Sequence, residues 1–119
     1  MGMTHVTIQI ANPADGARPQ TVECLVDTGA LFSIMPKAVL QAIGIRPKRR
    51  QTFTLANGRT MVRRVGDALF RYKKYEGAAP VIFGEKHDKA LLGVLSIEAM
   101  GLEVDPTKKR LKPTELLLV

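Results

Sequence analysis

Val22-Glu23-Cys24-Leu25-Val26-Asp27-Thr28-Gly29-Ala30-Leu31-Phe32-Ser33-Ile34-Met35-Pro36 is the stretch on which the fold turns. An apolar run ends abruptly in an acid, a hydroxyl residue and a glycine. A carboxylate beside Leu25 and Val26 is costly to bury unless something hydrogen-bonds it or uses it. Asp27 is therefore the candidate functional acid, standing where strand gives way to loop. The plainer alternative is that its carboxylate caps a turn that Thr28 and Gly29 complete.

Upstream, Thr4 to Ile10 alternates, with Val6, Ile8 and Ile10 on one face and His5, Thr7 and Gln9 on the other. Such alternation predicts a half-buried strand. Asn12-Pro13-Ala14-Asp15-Gly16 is dense in turn residues and predicts a hairpin onto a second strand, Thr21 to Val26. Downstream, Pro36 is placed at the first position of a short helix over Lys37 to Ile43, ended by Gly44. Thr52 to Leu55 and Thr60 to Val65 predict strands around Ala56-Asn57-Gly58-Arg59, and Asn-Gly between β-prone runs is a strong hairpin signal. Ala68 to Tyr72 and Ala79 to Phe83 predict another strand pair turning at Glu76-Gly77. Leu91-Leu92-Gly93 then leads into a second short helix, Val94 to Met100, ended by Gly101. The two halves echo each other: an apolar strand and glycine, a short helix, a glycine, a proline and a basic run. Only the first copy carries an acid.

The chain has 119 residues, 45% of them hydrophobic, with ten glycines and seven prolines. These bounds predict one domain, residues 1–119, rich in β-structure and turns. No apolar run approaches a membrane span, and no basic segment leads into an apolar signal core. Gly2 invites a check for myristoylation, but Val6 stands where that motif needs Ser or Thr. The expectation is a cytoplasmic protein. Its net charge of +7 is compatible with nucleic-acid binding, but the basic residues fall in short groups at turns or on exposed strands. No Trp and only two Tyr are available for base stacking, so a nucleic-acid partner is disfavoured. A single cysteine, Cys24, excludes an internal disulfide and a thiolate-rich metal site. His5 and His87 are the only histidines and have no zinc-site spacing.

Leu25-Val26-Asp27-Thr28-Gly29-Ala30, the Asn57-Gly58 hairpin and Leu91-Leu92-Gly93, in that order, resemble the retropepsin-like aspartic proteases. The likeness spans almost the whole chain, as far as Pro106, and is nearest to the short prokaryotic members. It implies a mostly β fold, an acid-protease half-barrel with two short helices, with neither cofactor nor metal. Metal-free peptide hydrolysis needs one group to activate water and another to protonate the carbonyl. Two adjacent carboxyls sharing a proton do both, because like charges so close cannot both ionise. With one Asp-Thr-Gly per chain, the second carboxylate must come from another copy, so the resemblance implies a twofold homodimer.

Roles follow from the same resemblance. Asp27 is the catalytic acid; Thr28 bonds across the dimer axis; Gly29 brings its amide to the carboxylate; Ala30 lines the substrate. Ala56, Asn57 and Gly58 form the tip of a flap over an extended peptide, although Asn57-Gly58 makes a hairpin whether or not it covers a site. Ser33 either hydrogen-bonds near the loop or is a surface serine. Arg63 and Arg64, beyond the tip, would favour acidic or nucleic-acid-bound substrates. The apolar tail, residues 116–119, would pair at the dimer interface. A peptide-binding scaffold of the same fold without useful catalysis remains the alternative.

Overall fold

The computed structural model describes residues 3–115. The expectations for Gly2 and for the tail at 116–119 lie outside the described residues. β1 (His5–Ala11) buries Val6, Ile8 and Ile10 and exposes His5, Thr7 and Gln9, as its alternation predicts. It pairs antiparallel with β2 (Gln20–Val26), placing Val6 opposite Cys24 and Ile8 opposite Val22. Asn12 organises the connection: its carbonyl accepts the Gly16 amide at 2.7 Å, and its side chain accepts the Ala14 amide at 2.9 Å.

β3 (Ser33–Pro36) runs directly into α1 (Lys37–Ala42), so Pro36 closes a strand and caps the helix instead of opening it. Neither the four residues of β3 nor their pairing is announced by any alternation. The hairpin of β4 (Arg49–Thr54) and β5 (Thr60–Tyr72) has Leu55–Arg59 at its tip. β5 is one strand of 13 residues where two were expected. Gly66 and Asp67 do not break it, because both stay paired to β6 (Tyr75–Gly84), opposite Val81 and Pro80.

The β5–β6 turn lies at Lys73-Lys74, not at Glu76-Gly77, and Lys73 adopts a φ of 56°. Gly77 serves packing instead: a Cβ there would overlap the carbonyl of Ala99, at the end of α2 (Val94–Ala99). Between β6 and α2 lies β7 (Leu91–Leu92), only two residues long. β8 (Leu102–Asp105) and β9 (Arg110–Pro113) form a separate two-stranded sheet, where only a proline and a basic run were expected.

The main sheet has seven strands in the order β1-β2-β7-β3-β6-β5-β4, and β1 pairs additionally with β5. That pairing closes six strands into a ring and leaves β4 outside it. Ile8, Ile10, Met35, Phe70, Phe83 and Leu92 fill the interior, all at 1% exposure or less. Leu40 of α1 and Ile97 of α2 belong to the same buried cluster. The fold is mostly β with two short helices, as expected.

Candidate active site

β2 and β3 are joined by the loop that carries Asp27, and β7 sits between them. β7 runs parallel to β2, with Leu25 opposite Leu91 and Val26 opposite Leu92, and antiparallel to β3, with Ile34 opposite Leu91. The loop is fastened to that insert along its length. Leu25 N donates to Ala90 O and Asp27 N to Leu92 O, both at 3.0 Å. In return Val94 N donates to Ala30 O at 2.9 Å and Leu95 N to Leu31 O at 3.1 Å. Backbone pairing of this kind fixes a loop well, because each paired amide and carbonyl is an obligatory hydrogen-bonding group.

Within the loop, Gly29 N donates to Asp27 Oδ1 at 2.9 Å and Ala30 N donates to Asp27 O at 3.1 Å. The Asp27 side chain is half-buried, Thr28 and Gly29 are exposed, and Ala30 is half-buried. Among the described residues no cation forms an ion pair with Asp27. One carboxylate oxygen thus accepts a backbone amide while the group remains open to a partner.

Two buried hydroxyls support the loop from beneath. Ser33 Oγ accepts the Gly93 amide at 2.9 Å and lies 2.5 Å from Ser96 Oγ, with both serines at 0% exposure. Ser33 is therefore no surface serine. Gly93 must be glycine here, since a Cβ would lie 2.7 Å from the Phe32 carbonyl carbon and oxygen. The two chain segments cross at backbone contact, and no side chain fits between them.

Ala56, Asn57 and Gly58 lie together at the exposed hairpin tip. Gly58 N donates to Leu55 O at 2.9 Å, and Arg59 N donates to the Asn57 side chain at 2.9 Å. The tip is joined to the Asp27 loop indirectly, through Phe53 of β4, whose ring meets Phe32 edge-on at 5.8 Å between centroids. Leu31, beside Phe32, is 60% exposed.

The two arginines beyond the tip are not free cations. Arg63 grips Asp88, with Nε to Oδ2 at 2.7 Å and Nη2 to Oδ1 at 3.1 Å, and Arg64 stacks over Phe83 at 5.4 Å. The Arg63 hydrogen bonds hold the Asp88 carboxyl below its usual range, against the opposing effect of burial. Lys37, hydrogen-bonded at 2.9 Å, holds Glu85 low in the same way. Burial, with a contribution from Glu23, pushes the Cys24 thiol up to about 12, so it stays protonated and inert in neutral solution. Among the described residues no three His, Cys, Asp or Glu side chains converge as metal ligands, and no helix is long and apolar enough to cross a membrane.

Thr28 borders an open, largely apolar hollow of about 690 Å³, walled by Val94, Ile97, Leu102 and Val104 with Glu98 and Glu103 among them. Asp27 does not line it.

This geometry meets known proteins at the level of family and fold. The family described as "gag-polyprotein putative aspartyl protease" matches residues 17–99, and the chain belongs to that family. The fold resembles the solution structure of the protease of Simian Foamy Virus (mac), with a TM-score of 0.54 and 18% identity over 82% of this chain and 92% of that one. A crystal structure of a retropepsin-like aspartic protease from Rickettsia conorii also aligns, with a TM-score of 0.47 and 20% identity over 88% of this chain and 89% of the other. A search of curated proteins finds no match.

Reading the sequence alone misses Ser96, Asp88 and the Phe32–Phe53 contact. Ser96 left a faint signal, a hydroxyl between the apolar residues Leu95 and Ile97 of a short helix. Asp88 left none, since Glu85-Lys86-His87-Asp88-Lys89 looks like any solvated charge run.

Proposed function

We propose that the chain is an aspartic endopeptidase, working as a twofold homodimer in which two Asp27 carboxyls, one per subunit, activate the attacking water. The single observation that carries this reading is the placement of Asp27. It follows directly on the end of β2, is pinned through Leu92 O, is oriented by the Gly29 amide and, among the described residues, is in no ion pair. Membership of the aspartyl protease family supports it.

In the reaction, the charged carboxyl takes a proton from water as oxygen attacks the peptide carbonyl. The protonated partner gives its proton to the carbonyl oxygen. Collapse of the tetrahedral species breaks the C–N bond, with a proton returned to the leaving amine. The shared proton requires two carboxyls a few ångströms apart, which a second copy would supply. Thr28 would bond across the axis, and its position beside the apolar hollow of α2 and β8 fits a face that a partner covers. Gly29 and Ala30 would contact the substrate backbone from below. Ala56, Asn57 and Gly58 would close over an extended peptide and exclude water. A lone buried thiol fits a reducing compartment such as the cytoplasm.

The test is cleavage of a diverse peptide mixture, read by mass spectrometry across pH at high protein concentration. Wild type is run beside Asp27→Asn and beside a statine-type inhibitor. Cuts confined to the uninhibited wild type are expected, with Asp27→Asn at least about 1,000-fold slower yet still folded. No cuts from a folded, dimeric sample would assign the chain to a peptide-binding scaffold instead.

A further inference from the structure

One side of the β4–β5 hairpin carries two fastenings. Gln51 stands opposite Arg63 and Phe53 opposite Met61, so alternation places these four on the same face. From that face Phe53 reaches Phe32, two residues past Ala30. From the same face Arg63 reaches Asp88, three residues before β7. The hairpin is thereby tied to both chain segments that frame Asp27: the loop leading out of the site and the loop leading into the strand that pins it.

The ionic tie is partly shielded, with side-chain exposures of 20% for Arg63 and 16% for Asp88. The Lys37–Glu85 pair, at 47% and 39%, is far more open. Both partners are held before they meet. Asp88 Oδ2 accepts the Glu85 amide at 2.8 Å, and Asp88 N donates to Glu85 O at 2.9 Å, which closes the loop on itself. Arg63 Nη1 donates to Val62 O at 3.0 Å. A two-pronged arginine–carboxylate grip carries geometric specificity that a point charge lacks. A partly shielded pair adds little net stability, so its value lies in the arrangement it enforces.

We infer that Arg63 and Asp88 are positioning residues, a latch that sets the height of the hairpin over the Asp27 loop and confines its opening to the tip, Leu55–Arg59. The inference rests on the peptidase reading for its effect on substrate, but not for the latch itself. With the latch intact, a peptide enters beneath a short mobile tip and is held by a base that does not yield. With the latch cut, the whole hairpin lifts, the extended peptide is gripped less well, and the chemistry at Asp27 is left in place.

The experiment compares wild type, Asp88→Asn, Arg63→Gln, Arg63→Lys and the double variant Arg63→Gln/Asp88→Asn. Backbone hydrogen exchange by mass spectrometry, without substrate, is measured beside kcat and KM on one cleaved peptide. Asp88→Asn and Arg63→Gln should speed exchange about 10-fold within residues 49–65 and leave β1 and β2 unchanged. KM should rise about 5-fold with kcat within about 2-fold. Arg63→Lys, which keeps charge but loses the fork, should fall between. The double variant leaves no unpaired buried charge, so it remains folded and must still show the fast hairpin. Faster exchange spread evenly over all strands, or an unchanged hairpin, would overturn the latch. If wild type cuts no peptide, the peptidase reading fails by itself and the exchange data still decide the latch.

Discussion

Two stretches of the molecule pass through nearly the same events. In the first, β2 ends at Val26, a loop carries Asp27 to Phe32, β3 and α1 follow, and Gly44 turns the chain at a φ of 78°. In the second, β7 ends at Leu92, Gly93 passes straight into α2, and Gly101 turns the chain at 73°. Both helices have six residues. The register sets Val26 opposite Leu92, so Gly93 follows the second strand where Asp27 follows the first. The first stretch thus has an exposed loop with an acid, and the second has a bare glycine pressed against backbone. The difference shows how one scaffold divides its labour: one stretch presents a carboxylate, and the other holds it still.

The contrast can be broken hardest at its two glycines. Gly93→Ala forces a Cβ to 2.7 Å from the Phe32 carbonyl, and neither backbone segment can yield without losing the Leu92–Asp27 hydrogen bond. A loss of about 3 kcal/mol in unfolding free energy is expected, read by urea denaturation. At Gly29 the nearest atom is Asp27 Oδ1 at 3.2 Å, on a side chain that can turn. Gly29→Ala should therefore cost under about 1 kcal/mol of stability while sharply reducing any peptide cleavage. Equal stability losses at the two sites would erase the distinction between presenting and holding.

The hydroxyl pair sharpens it further. Ser33→Ala strips the Gly93 amide of its acceptor in a dry site, for an expected loss of about 2 kcal/mol. Ser96→Ala removes only the second hydroxyl and should cost about 1 kcal/mol. A double-variant cycle in denaturant measures their coupling, and equal single losses would mean that Gly93 does not depend on Ser33.

Acid gives a smaller, local effect. Asp88 is held low by Arg63, so the pair's contribution is complete above the ordinary aspartate range and is lost as pH falls through the depressed value in the folded state. Hairpin exchange compared with Asp88→Asn, from about pH 6 to about pH 2, should converge only at the acid end. The smallest signal is at Cys24. A thiol pushed up to about 12 by burial should resist alkylation at neutral pH until the protein unfolds, and rapid labelling of the native protein would contradict its place in the ring.

The parts of this contrast differ in how openly the sequence shows them. Asp27, the β1 alternation and both helices are visible because local chemistry decides each: a polar break in an apolar run, period two, a glycine stop. β3 is hidden, since Ser33–Pro36 becomes a strand only through neighbours far along the chain. The glycine at 77 misleads, because a packing constraint from α2 looks in sequence like a turn. Arg63 and Asp88 are hidden for the same reason as β3: 25 positions separate them, and nothing near either one signals the other.

The two-residue strand β7 also bears on the order in which the molecule can be made. Its partners in β2 precede it by more than half the chain, and loop closure over such a span is slow. Until Leu91 and Leu92 arrive, Asp27 lacks the carbonyl that pins it. During synthesis the acid emerges early and is set late, so a nascent chain carries the Asp27 carboxylate well before the contacts that fix it exist.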